Sequence, residues 1–339
     1  MNNYVLIFLI TLIFGCQQTE LIESPFQHNL ASEQKPWNSE TFEETEKDFT
    51  FGIIADLTGG ERPGIFSVAV EQMNRLEPTF VISVGDLIEG GTKDLTQLEQ
   101  EWNSFDDRAD KLQMPFFHLG GNHDLSNTVM QEFWQNRFGA LYYHFVYDDV
   151  LFLMLDSEDF NKETIDKIDV NRAAAMKIIY GEIEGDFDTT RYFHMSERRT
   201  GALSQNQLNY FTDVIDQNQD VRWTFVLMHK PLWKRDDDMG LGLLEMALQN
   251  RNYTVINGHE HSFSYQTRKE NDYLMLGTTG GYQNPENENA FDHITLVRMA
   301  EPEPVITHLR MDGILDKTGH IPNGGDSLNF QASKTQQPD

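Results

Sequence analysis

The sequence predicts an α/β fold in which buried strands alternate with amphipathic helices. Short apolar runs are followed by segments whose apolar residues recur every three or four positions, the spacing of one helix face. Several of these runs end directly before polar residues of the kinds that bind metal ions. Because α/β sheets bind ligands at the carboxyl ends of their strands, these polar residues are expected to meet at one edge.

The first half of the chain shows the alternation clearly. Apolar runs over residues 49–55, 79–84 and 114–119 predict three strands. Between them, apolar residues recur at helical spacing over 66–76 and again over 95–112, which predicts two amphipathic helices.

The second half continues the pattern. A β-hairpin is predicted from the runs 142–147 and 150–155, and Ser204 opens a helix with a capping-box sequence. A further helix is predicted over 241–248, and further strands over 223–228, 253–256, 273–276, 293–298 and 305–310. The interval 158–203 is too long for a simple connection and predicts an insertion.

Five short motifs stand at the ends of predicted strands: Asp56, Gly85-Asp86, Gly121-Asn122-His123-Asp124, His229 and Gly258-His259-Glu260-His261. Taken alone, each has an ordinary explanation as a turn or a structural histidine. Together, their carboxylates, carboxamide and imidazoles suit manganese, iron or zinc, and two carboxylates with several neutral ligands can hold a pair of cations sharing one bridge. The set therefore predicts a dinuclear hydrolase.

In this order the motifs resemble those of the calcineurin-like metallophosphoesterase superfamily, whose blocks read D-x-H, G-D, G-N-H-D or G-N-H-E, a lone H, and G-H-x-H. The resemblance implies a four-layer α/β/β/α sandwich of two mixed β-sheets flanked by helices. It also implies two divalent metal ions, Mn, Fe or Zn. One block departs, because Thr58 stands where the family usually has a histidine ligand.

The resemblance also implies a role for each residue. The metal ligands would be Asp56 and His261 for the first metal, Asn122, His229 and His259 for the second, and Asp86 as the bridge. His123 would be the general acid that protonates the leaving alcohol, and Asp124 would orient its ring.

The hydroxyl of Thr58 is a poor ligand compared with imidazole, which leaves three alternatives: a weak first site that fills only with substrate, an enzyme that runs on one metal, or a protein that has lost catalysis and kept a binding cleft. His118, His144 and His293 are candidate substitutes, but each lies in or beside an apolar run and is predicted to be a core histidine.

Substrate contacts are predicted from the basic residues. Arg62 and Thr58 follow the first strand, and the insertion carries a cluster: Arg191, His194, Arg198 and Arg199. Guanidinium forks suit phosphate oxygens. Ordinary surface salt bridges explain the cluster in the insertion equally well.

The amino-terminal residues predict export. The apolar run 5–14 is typical of a secretory signal, and Cys16 follows a sequence that resembles a bacterial lipoprotein cleavage box. We expect a signal peptide over 1–15, a flexible tether over 16–48, the catalytic domain over 49–319 with its insertion around 158–203, and a loose tail over 320–339. A lipid on Cys16 would anchor an exported protein, in the outer membrane or periplasm of a bacterium.

The net charge of −28, from 54 acidic and 26 basic residues, argues against nucleic acid as a partner. The predicted function is a metal-dependent hydrolase that cleaves a phosphomonoester or phosphodiester of a small molecule or glycan by attack of metal-activated water. The alternative is a catalytically weakened cell-surface binding protein on a phosphoesterase scaffold, for which Thr58 is the best support.

Overall fold

The structure, a computed structural model, describes residues 24–42, 48–237, 239–300 and 303–320. The described strands are β1 (Phe26–His28), β2 (Phe49–Ile54), β3 (Phe80–Ser83), β4 (Phe116–Phe117), β5 (Tyr143–Tyr147), β6 (Val150–Met154), β7 (Trp223–Met228), β8 (Tyr253–Asn257), β9 (Ser264–Arg268), β10 (Asn271–Met275), β11 (His293–Met299) and β12 (Pro304–Arg310). The α-helices are α1 (Ile65–Leu76), α2 (Leu95–Ala109), α3 (Asn122–Leu125), α4 (Thr128–Phe138), α5 (Lys162–Ile179), α6 (Ser196–Thr200), α7 (Gln205–Gln217) and α8 (Gly242–Ala247). Short 3₁₀ helices cover Phe187–Thr189, Leu232–Lys234 and Met311–Gly313.

The strands form two mixed sheets. One has the order β1-β5-β6-β7-β8-β10-β9, and the other has the order β12-β11-β2-β3-β4. Strands β6, β7, β8 and β10 run parallel to one another, as do β2, β3 and β4, while the remaining pairings are antiparallel. Helices α1, α2 and α4 pack on the outer face of the smaller sheet, and α7 and α8 on that of the larger sheet. The predicted four-layer sandwich is confirmed.

The predicted elements follow from local sequence. The hairpin β5–β6 turns at Asp148 and Asp149, both of which have positive φ angles, as the commonest two-residue hairpin turn requires. Ser204 caps α7 by accepting a hydrogen bond from the Gln207 N–H. Helices α4 and α5 and strand β9 were not predicted, because their apolar residues form no clear stripe.

The prediction of a flexible tether over residues 16–48 is wrong for residues 24–42. Residues 24–42 belong to the predicted tether, yet β1 pairs with β5 and extends the larger sheet. Phe26 and Trp37 are buried in the core, and Phe42 packs against it. Three large aromatic side chains thus supply apolar contact area that the largely polar composition of this stretch does not indicate.

Other predictions fall outside the described residues: the signal peptide, the lipidated Cys16 and nearly all of the tail over 320–339. Within the part of the chain that is described, no helix combines the length and apolar character needed to cross a bilayer.

The two sheets meet in a layer of aromatic rings. Phe80 on β3 is fully buried, and its ring lies 5.5 Å from that of Phe51, 5.4 Å from that of Phe117 and 5.6 Å from that of Phe152 in the opposite sheet. This layer joins the sheets whose strand ends carry the predicted metal ligands.

We expect Phe80→Ala to lower the free energy of unfolding by about 3–5 kcal/mol, because it removes a ring that touches both sheets and leaves a cavity. Urea unfolding followed by far-ultraviolet circular dichroism measures this. Tyr265→Ala, which removes a 58% exposed ring, is the control and should change stability by less than about 0.5 kcal/mol. Equal losses in the two variants would contradict this account of the core.

Candidate metal centre

Strand ends from both sheets bring the predicted ligands together. Asp56, Asp86 and Asn122 follow β2, β3 and β4, while His229 and His259 follow β7 and β8. All five side chains are buried. The residues that follow these strands therefore meet at one edge, where the two sheets face each other.

The backbone at these positions is in an uncommon conformation. Asp56, Asp86, His259 and His261 have φ angles of 47°, 59°, 80° and 50°, in the left-handed region that residues other than glycine rarely adopt. Such strain persists only where the surrounding structure imposes it, and it is concentrated at functional sites. The turn at each strand end aims the side chain inward.

Ligand atoms form two groups that share one residue. Asp86, His229 and His259 place one atom each within 4.8 Å of one another, and Asp56, Asp86 and His261 do the same. Asn122 joins the first of these groups, because its Oδ1 lies 3.2 Å from His229 Nε2. A carboxylate common to two groups is the arrangement that two bridged cations require.

The hydrogen bonds of His229 define its tautomer. Its Nδ1 lies 2.9 Å from the Val84 carbonyl oxygen, to which it must donate. In the neutral ring, Nε2 then presents a lone pair to Asp86 Oδ2 at 3.1 Å and to Asn122 Oδ1 at 3.2 Å. Three electron-rich atoms facing one another need either a proton or a metal ion between them.

The charges around His229 also indicate that a proton or a metal ion is needed there. Burial by itself would lower the pKa of this imidazole, but the carboxylates of Asp86 and Asp56 outweigh burial and raise the pKa to about 9. The pocket therefore favours a positive charge at this position.

His261 repeats the arrangement on the other side. Its Nδ1 donates to the Tyr282 carbonyl oxygen at 2.6 Å, which leaves Nε2 facing Asp56 Oδ1 at 3.4 Å. Burial raises the pKa of Asp56 to about 7, against the opposing influence of His261 and His229. Oδ2 of Asp56 is buried and has no hydrogen-bond partner among the described residues. A cation here would satisfy this oxygen, so the donor set fits a divalent metal.

Two glycines make the close approach possible. A Cβ atom on Gly258 would lie 2.2 Å from Asp56 Oδ2, and one on Gly121 would lie 2.2 Å from Asp86 Oδ1. Both distances are far below van der Waals contact. The glycines that precede His259 and Asn122 therefore leave room for the two carboxylates.

Asp124 differs from its predicted role. Its carboxylate accepts four backbone N–H groups, those of Asp86, Leu87, Ile88 and Gly121, at 2.8 to 3.1 Å. It thereby joins the loop after β3 to the loop after β4. The ring of His123 is instead held by Nδ1, which lies 2.7 Å from the Glu89 carbonyl oxygen.

Glu89 was not singled out from the sequence. Its side chain is buried, accepts the N–H groups of Gly60 and Glu61 at 2.7 and 2.9 Å, and places Oε2 3.9 Å from His123 Nδ1. Its position three residues after the Gly85-Asp86 motif is the one signal that could have indicated it.

Thr58 lies in the wall of the first metal group. The residue is fully buried, its N–H donates to the Asp86 carbonyl oxygen at 3.2 Å, and its hydroxyl has no hydrogen-bond partner among the described residues. The candidate substitutes bond elsewhere: His118 contacts the Pro36 carbonyl, His144 the Tyr210 hydroxyl and His293 the Phe291 carbonyl.

Arg62 is bound by the protein itself. Its Nη2 lies 2.6 Å from Asp292 Oδ1, and its Nε donates to the Gly281 carbonyl oxygen at 3.0 Å. The guanidinium fork predicted to contact substrate is thus occupied by a carboxylate and a carbonyl, which hold the loop after β2 against the loop that contains Gly281. We do not assign Arg62 a substrate contact.

A cleft of about 400 Å³ opens beside the metal ligands. The insertion contributes part of its wall through α6. The lining residues are Phe193, Arg198, Arg199, His259, Glu260, His261, Tyr282, Asn284, Asn287 and Ala290. Arg191 and His194, predicted in the same basic cluster, are exposed and do not line this cleft.

A buried ion pair attaches the insertion to the centre. Nζ of Lys230, the residue after His229, lies 2.6 and 2.8 Å from the two carboxylate oxygens of Glu158 and donates to the Glu197 carbonyl oxygen on α6 at 3.0 Å. Both side chains of the ion pair are buried. The segment that supplies His229 therefore also positions α6 through Lys230.

Comparison with known proteins agrees with this geometry. The sequence profile of the family described as "Calcineurin-like phosphoesterase" matches residues 49–263. The chain is 22% identical over 252 residues to the manganese-dependent ADP-ribose/CDP-alcohol diphosphatase of Homo sapiens, covering 61% of this chain and 73% of that protein. It is 33% identical over 105 residues to the Xenopus tropicalis protein of the same name, covering 24% of this chain and 30% of that protein.

Among solved structures, a dimetal phosphatase from Danio rerio superposes with a TM-score of 0.54 at 15% identity, covering 77% of this chain and 96% of that one. The structure titled "Structure of PhoD" gives 0.50 at 11% identity, over 80% of this chain and 73% of that one. At these identities the likeness concerns the fold.

Thr58→His is expected to strengthen the weaker of two metal-binding events about tenfold or more, because it adds an imidazole beside Asp56, Asp86 and His261. Isothermal titration calorimetry with Mn²⁺ measures both events directly. Thr58→Val, which keeps the shape and removes the hydroxyl, should leave them unchanged. Loss of the weaker event in Thr58→Val would show instead that the hydroxyl itself is a ligand.

Proposed function

The chain belongs to the calcineurin-like phosphoesterase family, whose members are metallophosphoesterases, and we propose that it hydrolyses a phosphoester bond of a small molecule at the centre around Asp86. The observation that carries this proposal is the sharing of Asp86 by two groups of potential ligands. An acidic cluster that only makes the surface soluble would be exposed. Asp86 is instead fully buried and is common to two groups that each contain imidazoles.

The proposed ligands are divided between two cations in the same way as the two groups of ligand atoms. Asp56 and His261 would hold the first cation, Asn122, His229 and His259 would hold the second, and Asp86 would be shared by both. When bound, the two cations supply the Lewis acidity that generates a nucleophile from water and neutralises the phosphoryl oxygens. The protein holds the ligands in place through the Val84 and Tyr282 carbonyl oxygens, which set the tautomers of His229 and His261.

We assign His123 as the general acid. Its backbone N–H donates to Asp86 Oδ1 at 2.8 Å, which places the residue beside the bridge. Because Nδ1 donates to the Glu89 carbonyl oxygen, the proton available for transfer is on Nε2 of the charged ring. His123 would give this proton to the leaving oxygen and become neutral.

Asp124 contributes by positioning. Its four backbone hydrogen bonds hold the segment that carries Asp86 against the segment that carries His123. The bridge and the proton donor therefore keep their relative placement while substrate and product exchange.

The diphosphatases of Homo sapiens and Xenopus tropicalis support manganese as the metal and a small organic phosphate as the substrate. Monoesters, diesters and glycan phosphoesters are all compatible with the ligand set. The excess of 54 acidic over 26 basic residues supports a small substrate over a nucleic acid.

A second candidate is a binding protein on the same scaffold. Its support is Thr58, because the first metal group lacks the expected imidazole. We further propose, on sequence alone, that residues 1–15 direct export and that a lipid on Cys16 anchors the protein to the outer membrane or within the periplasm.

Asp86→Asn is expected to remove both metal binding and hydrolysis, because it takes the shared charge from both ligand groups. Mn²⁺ content by atomic absorption and turnover of 4-nitrophenyl phosphate and bis(4-nitrophenyl) phosphate measure the two effects. Asp107→Asn, an exposed carboxylate on α2, is the matched control and should retain both. A native chain that binds Mn²⁺ and hydrolyses no phosphoester would favour the binding protein instead.

His123→Gln should separate chemistry from metal binding. We expect kcat for an alkyl phosphoester to fall about 10²- to 10⁴-fold, since an alkoxide leaves poorly without a proton. The loss should be much smaller for a 4-nitrophenyl ester, whose leaving group is stable as an anion, and Mn²⁺ binding should not change. Equal losses on both esters would refute the role of His123 as general acid.

A further inference from the structure

We propose that Arg198 and Arg199 on α6 bind a second anionic group of the substrate, so that the preferred substrates are organic diphosphates with an aromatic ring. The inference rests on the proposed function, because it places one phosphoryl group at the metal centre. It assigns the neighbouring part of the cleft to the remainder of the same molecule.

The cleft is larger than one phosphoryl group needs. A volume of about 400 Å³ is within the range of pockets that enclose whole small molecules. His259 and His261 line it together with Arg198 and Arg199 of α6. A ligand that reaches from the metals into this space can therefore contact the two arginines.

Arg199 is exposed, and its side chain has no hydrogen-bond or ion-pair partner among the described residues. Other exposed arginines, such as Arg298 and Arg310, are paired with the carboxylates of Asp48 and Asp312. Glu260, the carboxylate lining the cleft, is paired with Lys234 at 2.6 Å. The fork of Arg199 therefore remains available to an anion from solution.

Arg198 is held by aromatic rings. Its guanidinium carbon lies 5.5 Å from the ring centre of Phe187, 5.8 Å from that of Tyr192 and 5.1 Å from that of Phe193. A guanidinium that contacts rings can still direct N–H groups to an anion, because its five donors spread outward in one plane. Arg198 can thus keep its position and still donate to phosphate oxygens.

The cleft also suits an aromatic group. The rings of Phe193 and Tyr282 and the side chains of Asn284 and Asn287 line it. Rings provide stacking area, and carboxamides provide both donors and acceptors. This combination fits a heterocyclic base better than an alkyl chain or a bare phosphate.

The arginines are held in place before a ligand arrives. Lys230 donates to the Glu197 carbonyl oxygen, and beyond the carboxyl end of α6 the Ala202 N–H donates to the Ser157 carbonyl oxygen at 2.9 Å. Arg235 further donates to the Gly201 carbonyl oxygen at 2.7 Å. A helix tied at both ends loses little entropy when its arginines bind an anion, which favours affinity.

The test compares two ligands that cannot be hydrolysed. One is α,β-methylene-ADP, which carries two phosphorus groups, and the other is the 5′-phosphonate analogue of AMP, which carries one. Binding to the full-length, Mn²⁺-loaded protein is measured by isothermal titration calorimetry at fixed free Mn²⁺. Arg199→Ala should weaken the first ligand about tenfold and the second less than about twofold.

Two further variants sharpen the result. Arg199→Lys keeps the charge without the fork and should recover part of the loss. Arg191→Ala removes an exposed arginine of the same insertion outside the cleft and should leave both affinities unchanged. Equal weakening of both ligands by Arg199→Ala, or no weakening of either, would overturn the proposal.

Failure of the proposed function gives a different pattern. A native chain that hydrolyses no ester but binds α,β-methylene-ADP through Arg199 would refute hydrolysis and retain the second anion site. A chain that hydrolyses esters with unchanged affinities in Arg199→Ala would retain the enzyme and refute the site.

Discussion

The structure depends on the burial of Asp56 and Asp86 side by side where the two sheets face each other. Two carboxylates without water or cations would repel each other and destabilise the fold. Imidazoles and backbone N–H groups surround them, yet Asp56 Oδ2 has no hydrogen-bond partner among the described residues. Turns with positive φ angles and glycines surround these two carboxylates. A divalent cation is suited to balance their negative charge.

The sequence predicts the fold and the meeting of the motif residues well, because both depend on short-range pattern. Buried parallel strands read as apolar runs, and the residue after each run lies at a common edge whatever the loops do. Asp56, Asp86 and His229 could therefore be placed from their positions alone. The order of the motifs supplied the pairing of the two sheets, which periodicity does not indicate.

Predictions about individual contacts were poorer, because they depend on which groups meet in three dimensions. Asp124 stands next to His123 in sequence, but the turn of α3 directs its carboxylate to backbone N–H groups on another loop. Arg62 is paired with Asp292, 230 residues away. Residues 24–42 were misjudged because a few aromatic side chains outweigh a polar composition once they fill a gap in the core.

The strand β1 has a consequence for where the domain can sit. Phe26, ten residues after Cys16, is fixed in the larger sheet. If Cys16 carries a lipid as proposed, an extended chain spans at most about 35 Å between the bilayer and that sheet. An extended tether from residue 16 to residue 48 would instead span at most about 110 Å. With that anchor, the larger sheet would be held within about 35 Å of the bilayer surface.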